Sequence, residues 1–352
     1  MNSRIKNILS RLKEEGLDGF IVSSAHNISY LTETRSRDAY LIVSAKERVY
    51  LTDARYTEEF KKKLKGFSLR KIDTSVFSII ADILQELKLR RVGFEDMHLS
   101  VSQHQRLSRQ CRRRIKLVPV RNLVEDLREI KDRDEVAKIR VATDIAMQAL
   151  RHIRKFILPG KRELEIAAEL EHFIRYKGGH SSSFEIIVAS GANSSFPHHL
   201  TSSRRLRDNE PVLIDMGVDY SGYKSDLTRV FFLGKIKPSV REVYDIVAEA
   251  QGRALKSIKP AVIINKIDRA ARQYITRQGY GGFFSHNLGH GIGLEVHESP
   301  RIRPAEKARL KAGMVFTVEP AIYLPDKFGI RLEDMVLVTT KGVEVLSGAL
   351  DK

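Results

Sequence analysis

Apolar and polar positions alternate along the first 120 residues in blocks that predict short helices and strands. The start of the chain carries an apolar stripe at helical spacing, formed by Ile5, Ile8, Leu9 and Leu12. This stripe predicts a helix over 3–15, and a second helix is predicted over 77–88. Branched apolar runs bounded by turn-forming residues predict strands at 17–22, 39–43 and 48–52. The pattern indicates a small α/β domain over 1–121, followed by a second domain over 122–352.

The second domain begins with a charged, helix-prone stretch and carries a faint duplication. One long amphipathic helix is predicted from 132 to 156. The segments 158–179 and 259–280 align at a constant offset of 101 residues, and each reads as proline, helix, glycine. The aligned pairs include Pro159 with Pro260, Ile166 with Ile267, Phe173 with Tyr274, Ile174 with Ile275, and Gly178 with Gly279. Two related half-domains facing each other would place a site at their interface; chance similarity between two amphipathic helices is the alternative.

Composition places the chain among ordinary globular proteins. Its 352 residues are 42% hydrophobic and 30% charged, and they include one cysteine, Cys111. No intrachain disulfide is possible, which favours a reducing compartment. The N-terminal stretch lacks the apolar core of a signal peptide, and no apolar run approaches the ~20 residues of a membrane span. We therefore expect a cytoplasmic protein that does not enter a membrane.

The net charge of +17 raises the question of a nucleic-acid partner. Residues 1–120 carry 24 Lys/Arg and 14 Asp/Glu, a net +10, which leaves +7 for residues 121–352. Two basic clusters, KKKLK at 61–65 and RQCRRRIK at 109–116, are of a kind that binds phosphate backbones. Neither cluster is interleaved with stacking aromatics, and the chain has no zinc-finger spacing. The two clusters are more simply explained as solvated helix faces. Nucleic-acid binding is therefore a secondary alternative.

A glycine-rich stretch, FFSHNLGHGIGLEVHE at 283–298, holds three histidines: His286, His290 and His297. A helix would place the first two on one face. Glycine costs about 1 kcal/mol per helical position, so the glycines between and after them favour extended backbone or loop. In such a segment, glycine lets another group approach closely. A single histidine in a glycine-rich turn would be interpreted as structural. A functional role for all three histidines therefore depends on partner residues elsewhere in the chain.

Acidic residues interrupt apolar strands at four other positions of the second domain. The segment EPVLIDMGVDYSGYKSDLTRVFFLG at 210–234 reads as a hairpin, and a turn centred on Tyr220 and Ser221 would set Asp215 directly opposite Asp226. Two carboxylates held that close need a proton or a cation between them. The other two acids are Glu319, in MVFTVEPAIY, and Glu333, in GIRLEDMVLV. Each could pair singly with an arginine, and Arg331 stands beside Glu333.

Four carboxylates and one imidazole together are harder to explain as separate ion pairs. They make a mixed oxygen and nitrogen ligand set that can bridge two cations, which suits two divalent ions such as Mn²⁺, Co²⁺ or Zn²⁺. The chain has no thiolate cluster, which argues against a structural zinc site. The predicted ligands are Asp215, Asp226, His290, Glu319 and Glu333.

At these residues the sequence resembles the pita-bread metallopeptidases, and most closely the Xaa-Pro aminopeptidases and Xaa-Pro dipeptidases (prolidases). HNLGHGIGLEVHE at 286–298 is similar to the signature of that branch, with Asn287 where glycine is more usual. FPHHL, DMGVDYSGYKSDLTR, VEPAIY and GIRLEDMVLV resemble its other blocks, and YLTDARY at 50–56 resembles its N-terminal domain. The resemblance covers essentially the whole chain.

The resemblance implies an α/β (α+β) protein with a creatinase/prolidase-type N-terminal domain and a pita-bread domain with an internal pseudo-twofold repeat. It implies that Asp226 and Glu333 bridge two metal ions, that Asp215 completes one site, and that His290 and Glu319 complete the other.

The family also implies roles for residues beside the metals. Glu319 would be the general base, His198 and His297 would bind the substrate and its developing oxyanion, and His286 would line the proline pocket. Arg331 would orient Glu333 or the proline side of the substrate, and the glycines around His290 would let the substrate approach.

The expected partners are a proline-containing peptide and a second copy of the chain. The sequence does not distinguish dipeptides from longer peptides. Methionine aminopeptidases usually lack the N-terminal domain, and creatinase-like members lack the metal ligands. Relatives that bind RNA or chromatin proteins without peptidase activity are the alternative from another class, supported here only by the basic charge.

Overall fold

The structure is a computed structural model that describes residues 3–111 and 114–351. The chain divides into two compact units, Met1–Arg128 and Glu129–Lys352. The stretch after residue 121 belongs to the first unit, because the Asn27 side chain donates to Glu125 Oε1 at 2.6 Å and accepts from Arg128 Nη1 at 2.7 Å. The domain division predicted after residue 121 stays a prediction. Residues 112 and 113 of the basic run at 109–116 lie outside the described residues.

The N-terminal unit is built on a mixed sheet of six described strands. Its elements are α1 Ser3–Glu14, β1 Gly19–Val22, α2 Ala25–Thr32, β2 Ala39–Ser44, β3 Arg48–Asp53, α3 Ala54–Lys63, β4 Ser68–Ile72, α4 Val76–Glu86, β5 Arg91–Glu95, α5 Val101–Gln110, β6 Lys116–Val120 and α6 Glu125–Arg128. The strand order is β4-β3-β2-β1-β5-β6. The predicted helices and strands of this region are confirmed, and the stripe of α1 is buried at Ile5, Ile8 and Leu12.

The C-terminal unit contains helices packed on antiparallel sheets. Its elements are α7 Arg133–Ile153, α8 Glu163–Tyr176, β7 Ser181–Ser182, β8 Ile187–Ser190, β9 Pro211–Met216, β10 Val218–Tyr220, β11 Tyr223–Lys224, β12 Leu227–Phe232, α9 Pro238–Ser257, α10 Ile264–Arg277, β13 Gly289–Gly291, β14 Glu298–Ile302, β15 Val315–Val318, β16 Ala321–Leu324, β17 Phe328–Arg331, β18 Asp334–Val338 and β19 Val343–Val345. The main sheets have the orders β12-β9-β8 and β14-β13-β15-β18-β19. The predicted long helix is α7, which begins with a capping box between Asp132 and Glu135.

The duplication predicted from the sequence is a structural repeat. Helices α8 and α10 begin and end at positions that are 101 residues apart. Before each helix stands a residue with left-handed backbone, Gly160 with φ 87° and Ala261 with φ 65°. Their N–H groups donate to equivalent carbonyls, those of Leu206 and Leu310. Two unrelated amphipathic helices would not share these contacts, so the alternative of chance similarity is wrong.

The strands that follow the two helices keep the same relation. Ser190 at the end of β8 pairs with Val212 on β9, and Gly291 at the end of β13 pairs with Phe316 on β15. Ser190 and Gly291 are 101 residues apart in the sequence, and their partners Val212 and Phe316 are 104 residues apart. We call the two copies the first half, which contains β8, β9 and β12, and the second half, which contains β13, β15 and β18.

The hairpin that carries the two aspartates differs from the predicted register. In the pairing of β9 with β12, Asp215 lies opposite Thr228 and not opposite Asp226. The turn is centred one residue later than predicted, on Ser221 and Gly222, whose φ values of 51° and 88° match a two-residue hairpin loop of type I′. A register change of two residues keeps side chains on the same face. Asp226 therefore lies diagonally across from Asp215.

One apolar cluster of the C-terminal unit lies between helices α9 and α10 and the strands of the second half. Val247 and Ala250 on α9 and Ile267 and Ala271 on α10 are fully buried in one apolar cluster with Phe316 on β15. This layer holds the strands whose ends carry the acidic residues. Among the helices of the described residues, none is long and apolar enough to cross a membrane.

Candidate metal centre

Three predicted ligands from different strands converge in the C-terminal unit. Asp226, His290 and Glu333 each offer a ligand atom, and these atoms all lie within 4.8 Å of one another. Asp226 directly precedes β12, Glu333 directly precedes β18, and His290 lies in the middle of β13. Asp226 and Glu333 are buried and His290 is half-buried. The point of convergence lies where strands of the two halves meet.

The remaining two predicted ligands lie beside this group. The His290 Nε2 atom is 3.4 Å from Glu319 Oε1 and 3.6 Å from Asp226 Oδ2. Glu319 directly follows β15, and the register of β15 with β18 sets it across from Glu333. Asp215 joins the group from β9, and its charge is among the causes that raise the pKa of Asp226. The structure thus brings together all five side chains that the sequence singled out.

The glycines around His290 are explained by the packing of its own strand. A Cβ atom on Gly289 would lie 1.9 Å from the backbone oxygen of Thr317, and one on Gly291 would lie 2.1 Å from that of Ser299. Only glycine therefore allows β13 to fit between its neighbours while His290 points at the carboxylates. The prediction that these glycines admit the substrate is wrong for Gly289 and Gly291, because the close group is the protein's own backbone.

Burial and electrostatic repulsion raise the pKa values of Asp226, Glu319 and Glu333 when no cation is present. Burial and then the charge of Glu333 raise the pKa of Asp226 well above its usual range. Burial and then the charge of Glu319 do the same to the pKa of Glu333, and burial raises the pKa of Glu319 to about 8. Burial, with the nearby charge of His297, lowers the pKa of His290 to about 4. At neutral pH the imidazole is therefore neutral, the form that binds metal.

The group has the composition and the unsatisfied atoms of a cation site. The Oδ1 atoms of Asp215 and Asp226 are both buried, and neither has a hydrogen-bond partner among the described residues. A buried carboxyl oxygen without a hydrogen-bond donor is destabilising, because it has lost its hydration with nothing in return. A divalent cation would compensate for it. Four carboxylates and one neutral imidazole are ligands suited to Mn²⁺, Co²⁺ or Zn²⁺, so the residues fit the metal ions that the sequence predicted.

Arg331 and Thr228 connect the aspartate and glutamate sides of the group. The Arg331 Nη2 atom donates to Asp215 Oδ2 at 2.6 Å, and its Nε atom donates to Thr228 Oγ1 at 3.1 Å. The Thr228 hydroxyl donates in turn to Glu333 Oε2 at 2.7 Å. Arg331 was expected beside Glu333 or the substrate, and its direct ion pair is with Asp215. Sequence reasoning missed Thr228, whose only signal was its place in DLTR, two residues after Asp226.

Two further residues that sequence reasoning missed fix the glutamates. The Gln251 side chain on α9 is fully buried and donates to the backbone oxygens of Val318 and Leu332, both at 3.1 Å. These are the residues directly before Glu319 and Glu333. Thr317 donates to Glu319 Oε1 at 3.2 Å. No sequence pattern identified Gln251, because its partners are backbone atoms more than sixty residues away.

His286 lies at the edge of the group in a single tautomer. The Tyr323 hydroxyl accepts from Arg331 Nη1 at 2.6 Å and stands 3.1 Å from His286 Nε2. The His286 Nδ1 atom is 2.7 Å from the backbone oxygen of Asn287, which can only accept, so Nδ1 carries the proton and Nε2 accepts from Tyr323. Burial lowers the pKa of His286 to about 4, which keeps the ring neutral. The Phe284 ring lies edge-on to it, with centroids 5.2 Å apart.

The other two predicted substrate residues, His198 and His297, lie on the exposed side of the group. Both side chains are exposed, and the ring centroid of His297 is 4.2 Å from that of His290. Burial, with the nearby charge of His198, lowers the pKa of His297. His198 follows the 3₁₀ turn Gly191–Ser195 after β8. The two imidazoles therefore stand near each other at the solvent side of the acidic group.

Comparisons with known proteins agree with this arrangement. Residues 137–340 match the model of metallopeptidase family M24, and residues 4–130 match the creatinase/prolidase N-terminal domain. An uncharacterized peptidase of Bacillus subtilis is 37% identical over 339 residues, which cover 96% of this chain and 95% of the relative.

Solved structures of this kind superpose along nearly the whole chain. The Xaa-Pro dipeptidase from Bacillus anthracis matches with a TM-score of 0.96 and 36% identity, covering 99% of this chain and 98% of its own. The X-Pro aminopeptidase from Thermotoga maritima matches with a TM-score of 0.91 and 35% identity, covering 98% and 97%. Both the catalytic and the N-terminal regions are thus shared with these peptidases.

Proposed function

Because the chain belongs to metallopeptidase family M24, we propose that it hydrolyses the N-terminal Xaa-Pro bond of peptides or dipeptides. The observation that carries the proposal is the convergence of Asp215, Asp226, His290, Glu319 and Glu333, with two buried carboxylate oxygens unpaired. The superposition with Xaa-Pro peptidases over nearly the whole chain supports the substrate class. The alternative of a nucleic-acid or protein-binding module without peptidase activity has no support in these comparisons.

The five proposed ligands would form two neighbouring metal sites. Asp226 and Glu333 would hold both ions, Asp215 would complete the first site, and His290 and Glu319 would complete the second. When bound, the two divalent ions lower the pKa of a shared water, so that hydroxide is available near neutral pH. Thr228 and Arg331 hold Glu333 and Asp215 in place through the bonds described above. Misplacing a ligand carboxylate weakens metal binding, so these contacts matter for activity.

The side chains around the metals would move the protons and bind the substrate. Glu319 takes the proton of the attacking water and passes it to the departing proline nitrogen. His198 and His297 donate hydrogen bonds to the substrate and to the oxyanion that develops on the scissile carbonyl. Neutral His286, between the rings of Phe284 and Tyr323, offers an apolar surface to the proline ring.

Proline explains why a specialised pocket is needed. An Xaa-Pro bond lacks the N–H group that general peptidases bind, and the ring fixes φ near −65°. The neutral His286 ring can recognise that fixed shape through apolar contact, without an N–H partner in the substrate. Replacing proline by alanine in the substrate should therefore remove the apolar contact and lower the rate.

The metal, the assembly and the compartment are also proposed. Mn²⁺ or Co²⁺ suits the ligand set best, because oxygen ligands dominate it, and Zn²⁺ is the third candidate. We propose a homodimer and a cytoplasmic location, the latter supported by the single buried cysteine, Cys111. We also propose that the chain divides into an N-terminal domain of residues 1–121 and a catalytic domain of residues 122–352, whose first residues, 122–128, pack with the first unit. Light scattering tests the dimer, and expression of residues 122–352 alone tests the division.

The test of the function is a parallel assay of four peptides. Ala-Pro, Ala-Pro-Ala, Ala-Ala and Ala-Ala-Ala are incubated with the purified protein loaded with Mn²⁺ or Co²⁺. We expect cleavage of the first bond in the proline peptides, loss of cleavage with a chelator, and recovery with the metal. The ratio of the cleavage rates on Ala-Pro and Ala-Pro-Ala distinguishes a dipeptidase from an aminopeptidase. Equal rates on the alanine peptides, or RNA binding that survives physiological salt without any hydrolysis, would refute the proposal.

A further inference from the structure

The two histidines proposed to bind the substrate lie in segments that follow corresponding strands of the repeat. His198 follows β8 in the first half, and His297 follows β13 in the second half. Each is followed directly by a residue whose side chain turns away into a buried polar contact. His199 is bonded to Glu163, and Glu298 is bonded to Lys131. The metal ligands make neither contact, and the mechanism above uses neither.

Glu163 is the centre of the first contact. It is the first residue of α8, it is fully buried, and both of its oxygens are saturated with donors. Oε1 accepts from the backbone and hydroxyl of Ser190, at 2.8 Å and 2.7 Å, and from Asn193 at 3.0 Å. Oε2 accepts from His199 Nε2 at 2.9 Å and from the backbone and hydroxyl of Ser202, at 3.1 Å and 2.6 Å.

These hydrogen bonds hold the segment 190–202, which carries His198, at three points: Ser190, His199 and Ser202. The hydrogen bonds from Ser202, His199 and Ser190 outweigh burial and lower the pKa of Glu163, so the carboxylate stays ionised at neutral pH. A buried carboxylate must keep its donors, because an unpaired charge in the interior is costly. We call Glu163 with its donors the first anchor.

The second contact is a salt bridge in the same position relative to His297. Lys131 Nζ is 2.6 Å from Glu298 Oε1, and the two side chains are only 1% and 7% exposed. A second bond runs from the backbone N–H of Glu295 to Glu298 Oε2, at 3.4 Å. A Cβ atom on Gly293 would lie 2.4 Å from Glu298 Oε1, so this glycine leaves room for the salt bridge. We call this pair the second anchor.

We propose that His199 and Glu298 are positioning residues, each of which fixes the histidine directly before it. The proposal rests on the proposed function of His198 and His297 in binding the substrate. Both histidines are exposed at the solvent side of the metal group, whereas their neighbours are tied into the interior. A side chain that donates to an oxyanion must be held within a few tenths of an ångström, and its backbone provides that only when the loop is fixed.

A double-mutant cycle tests whether His199 acts through His198. We expect His199→Ala to lower kcat/KM on Ala-Pro peptides about 10–100-fold, mainly through kcat and with metal content unchanged. His199→Gln keeps an N–H donor for Glu163 and should recover most of the rate. In the His198→Ala background, the further change His199→Ala should cost less than about twofold, because the group it positions is gone.

The second anchor is tested in the same way. We expect Glu298→Ala to lower kcat about 10–100-fold in the intact enzyme and less than about twofold in the His297→Ala background. Lys131→Met should match Glu298→Ala. Combining Glu298→Ala with His198→Ala should instead multiply the two single losses, because these residues belong to different loops.

His152→Ala is the matched control. The His152 Nε2 atom is 2.6 Å from Glu169, a histidine–glutamate pair of the same kind within the same unit but outside the two loops. The substitution His152→Ala should leave kcat/KM within about twofold of the value for the unmodified protein. Thermal unfolding of every variant shows whether a loss reflects a general loss of fold.

Hydrogen exchange gives a readout that does not depend on activity. In His199→Ala, the peptides covering 190–202 should exchange faster, and in His152→Ala they should not. Unchanged exchange in 190–202, or losses of equal size with and without His198, would overturn the proposal. If the unmodified protein hydrolyses no Xaa-Pro peptide, or if His198→Ala and His297→Ala are fully active, then the proposed function fails instead, and the exchange result still decides whether the first anchor fixes the loop.

Discussion

The two halves of the C-terminal unit share a backbone plan but contribute different chemistry to the site. The first half supplies the shorter acids, Asp215 and Asp226, which lie diagonally across the hairpin. The second half supplies Glu319 and Glu333, which the strand register sets directly opposite each other. The first acid of each half comes at the end of a strand, and the second acid comes directly before the partner strand.

The clearest asymmetry between the halves is at the strand that carries the imidazole. His290 is the middle residue of β13, and the residue 101 positions earlier is Ala189 on β8, which is fully buried. One half thus presents a nitrogen ligand where the other packs a methyl group. Each half provides two carboxylates to the group, and the imidazole of His290 comes from the second half.

The largest expected effect comes from removing an acid that is proposed to hold both ions. Asp226→Ala or Glu333→Ala should lower kcat/KM by more than about 100-fold and reduce bound metal, with the fold retained. Losing one of these carboxylates disturbs both ions, whereas changing a residue that only supports a ligand costs about 10–100-fold. Metal content by mass spectrometry and circular dichroism check this. Full metal stoichiometry in both variants would exclude the bridging assignment.

His290 and His297, whose rings are neighbours, should respond to substitution in different ways. His290→Ala should lose metal, while His297→Ala should keep its metal and lose turnover about 10²–10³-fold, as expected for an oxyanion donor. The reason is that His290 Nε2 lies among the carboxylate oxygens, whereas the His297 side chain is exposed. Metal analysis and steady-state kinetics on the same preparations decide. Equal metal loss in both variants would make His297 a ligand.

A smaller effect is expected at the contact that joins the two halves. Thr228→Val removes the hydroxyl that accepts from Arg331 and donates to Glu333, while it keeps the side-chain shape. We expect metal affinity to fall about 10–100-fold, measured by competition with a chelating dye. Thr228→Ser keeps the hydroxyl and is the matched control. If both variants bind metal equally well, the threonine does not support Glu333.

The smallest effect is a dependence of metal stabilisation on pH. Without metal, the raised pKa values of Asp226, Glu319 and Glu333 mean that these acids favour folding while protonated. That stability is lost as pH rises through the folded pKa, which is about 8 for Glu319. His290 acts in the opposite sense, since its lowered pKa of about 4 costs stability only as pH falls below its usual value of 6.5.

Between pH 6.5 and 8 the acids therefore dominate. The difference in Tm between the metal-loaded and metal-free protein should widen over this window by a few degrees, because cations replace the protons. Thermal scans at fixed ionic strength measure it. In Glu319→Gln the widening should be smaller. A difference that narrows with rising pH would contradict the raised pKa values.

Much of the fold could be predicted because its signals are local. The stripe at Ile5, Ile8 and Leu12 is buried as expected, and the offset of 101 residues holds from α8 and α10 into the strands. Repeated short-range patterns carry this information. The hairpin register could not be predicted, because it depends on which residues adopt positive φ, and Ser221 gives no such signal in the sequence.

The ligand residue types could also be predicted, but their supports could not. An acid in an apolar strand is visible in the sequence, since burying it is costly without a partner. Gln251 and Thr228 are common polar residues whose role arises only when the chain folds them against distant strands. The role of the glycines beside His290 could not be predicted either, because the group that approaches them is the neighbouring backbone and not the substrate.

The central claim is that the two unequal halves together hold two metal ions that the peptidase activity requires. It is tested most directly by titrating the metal-free protein with Mn²⁺ while measuring both bound metal and the initial rate on Ala-Pro peptides. The account predicts binding that saturates at two ions per chain, with activity lost in metal-free protein and restored as the sites fill. Hydrolysis that persists at the full rate after the metal has been removed would contradict it.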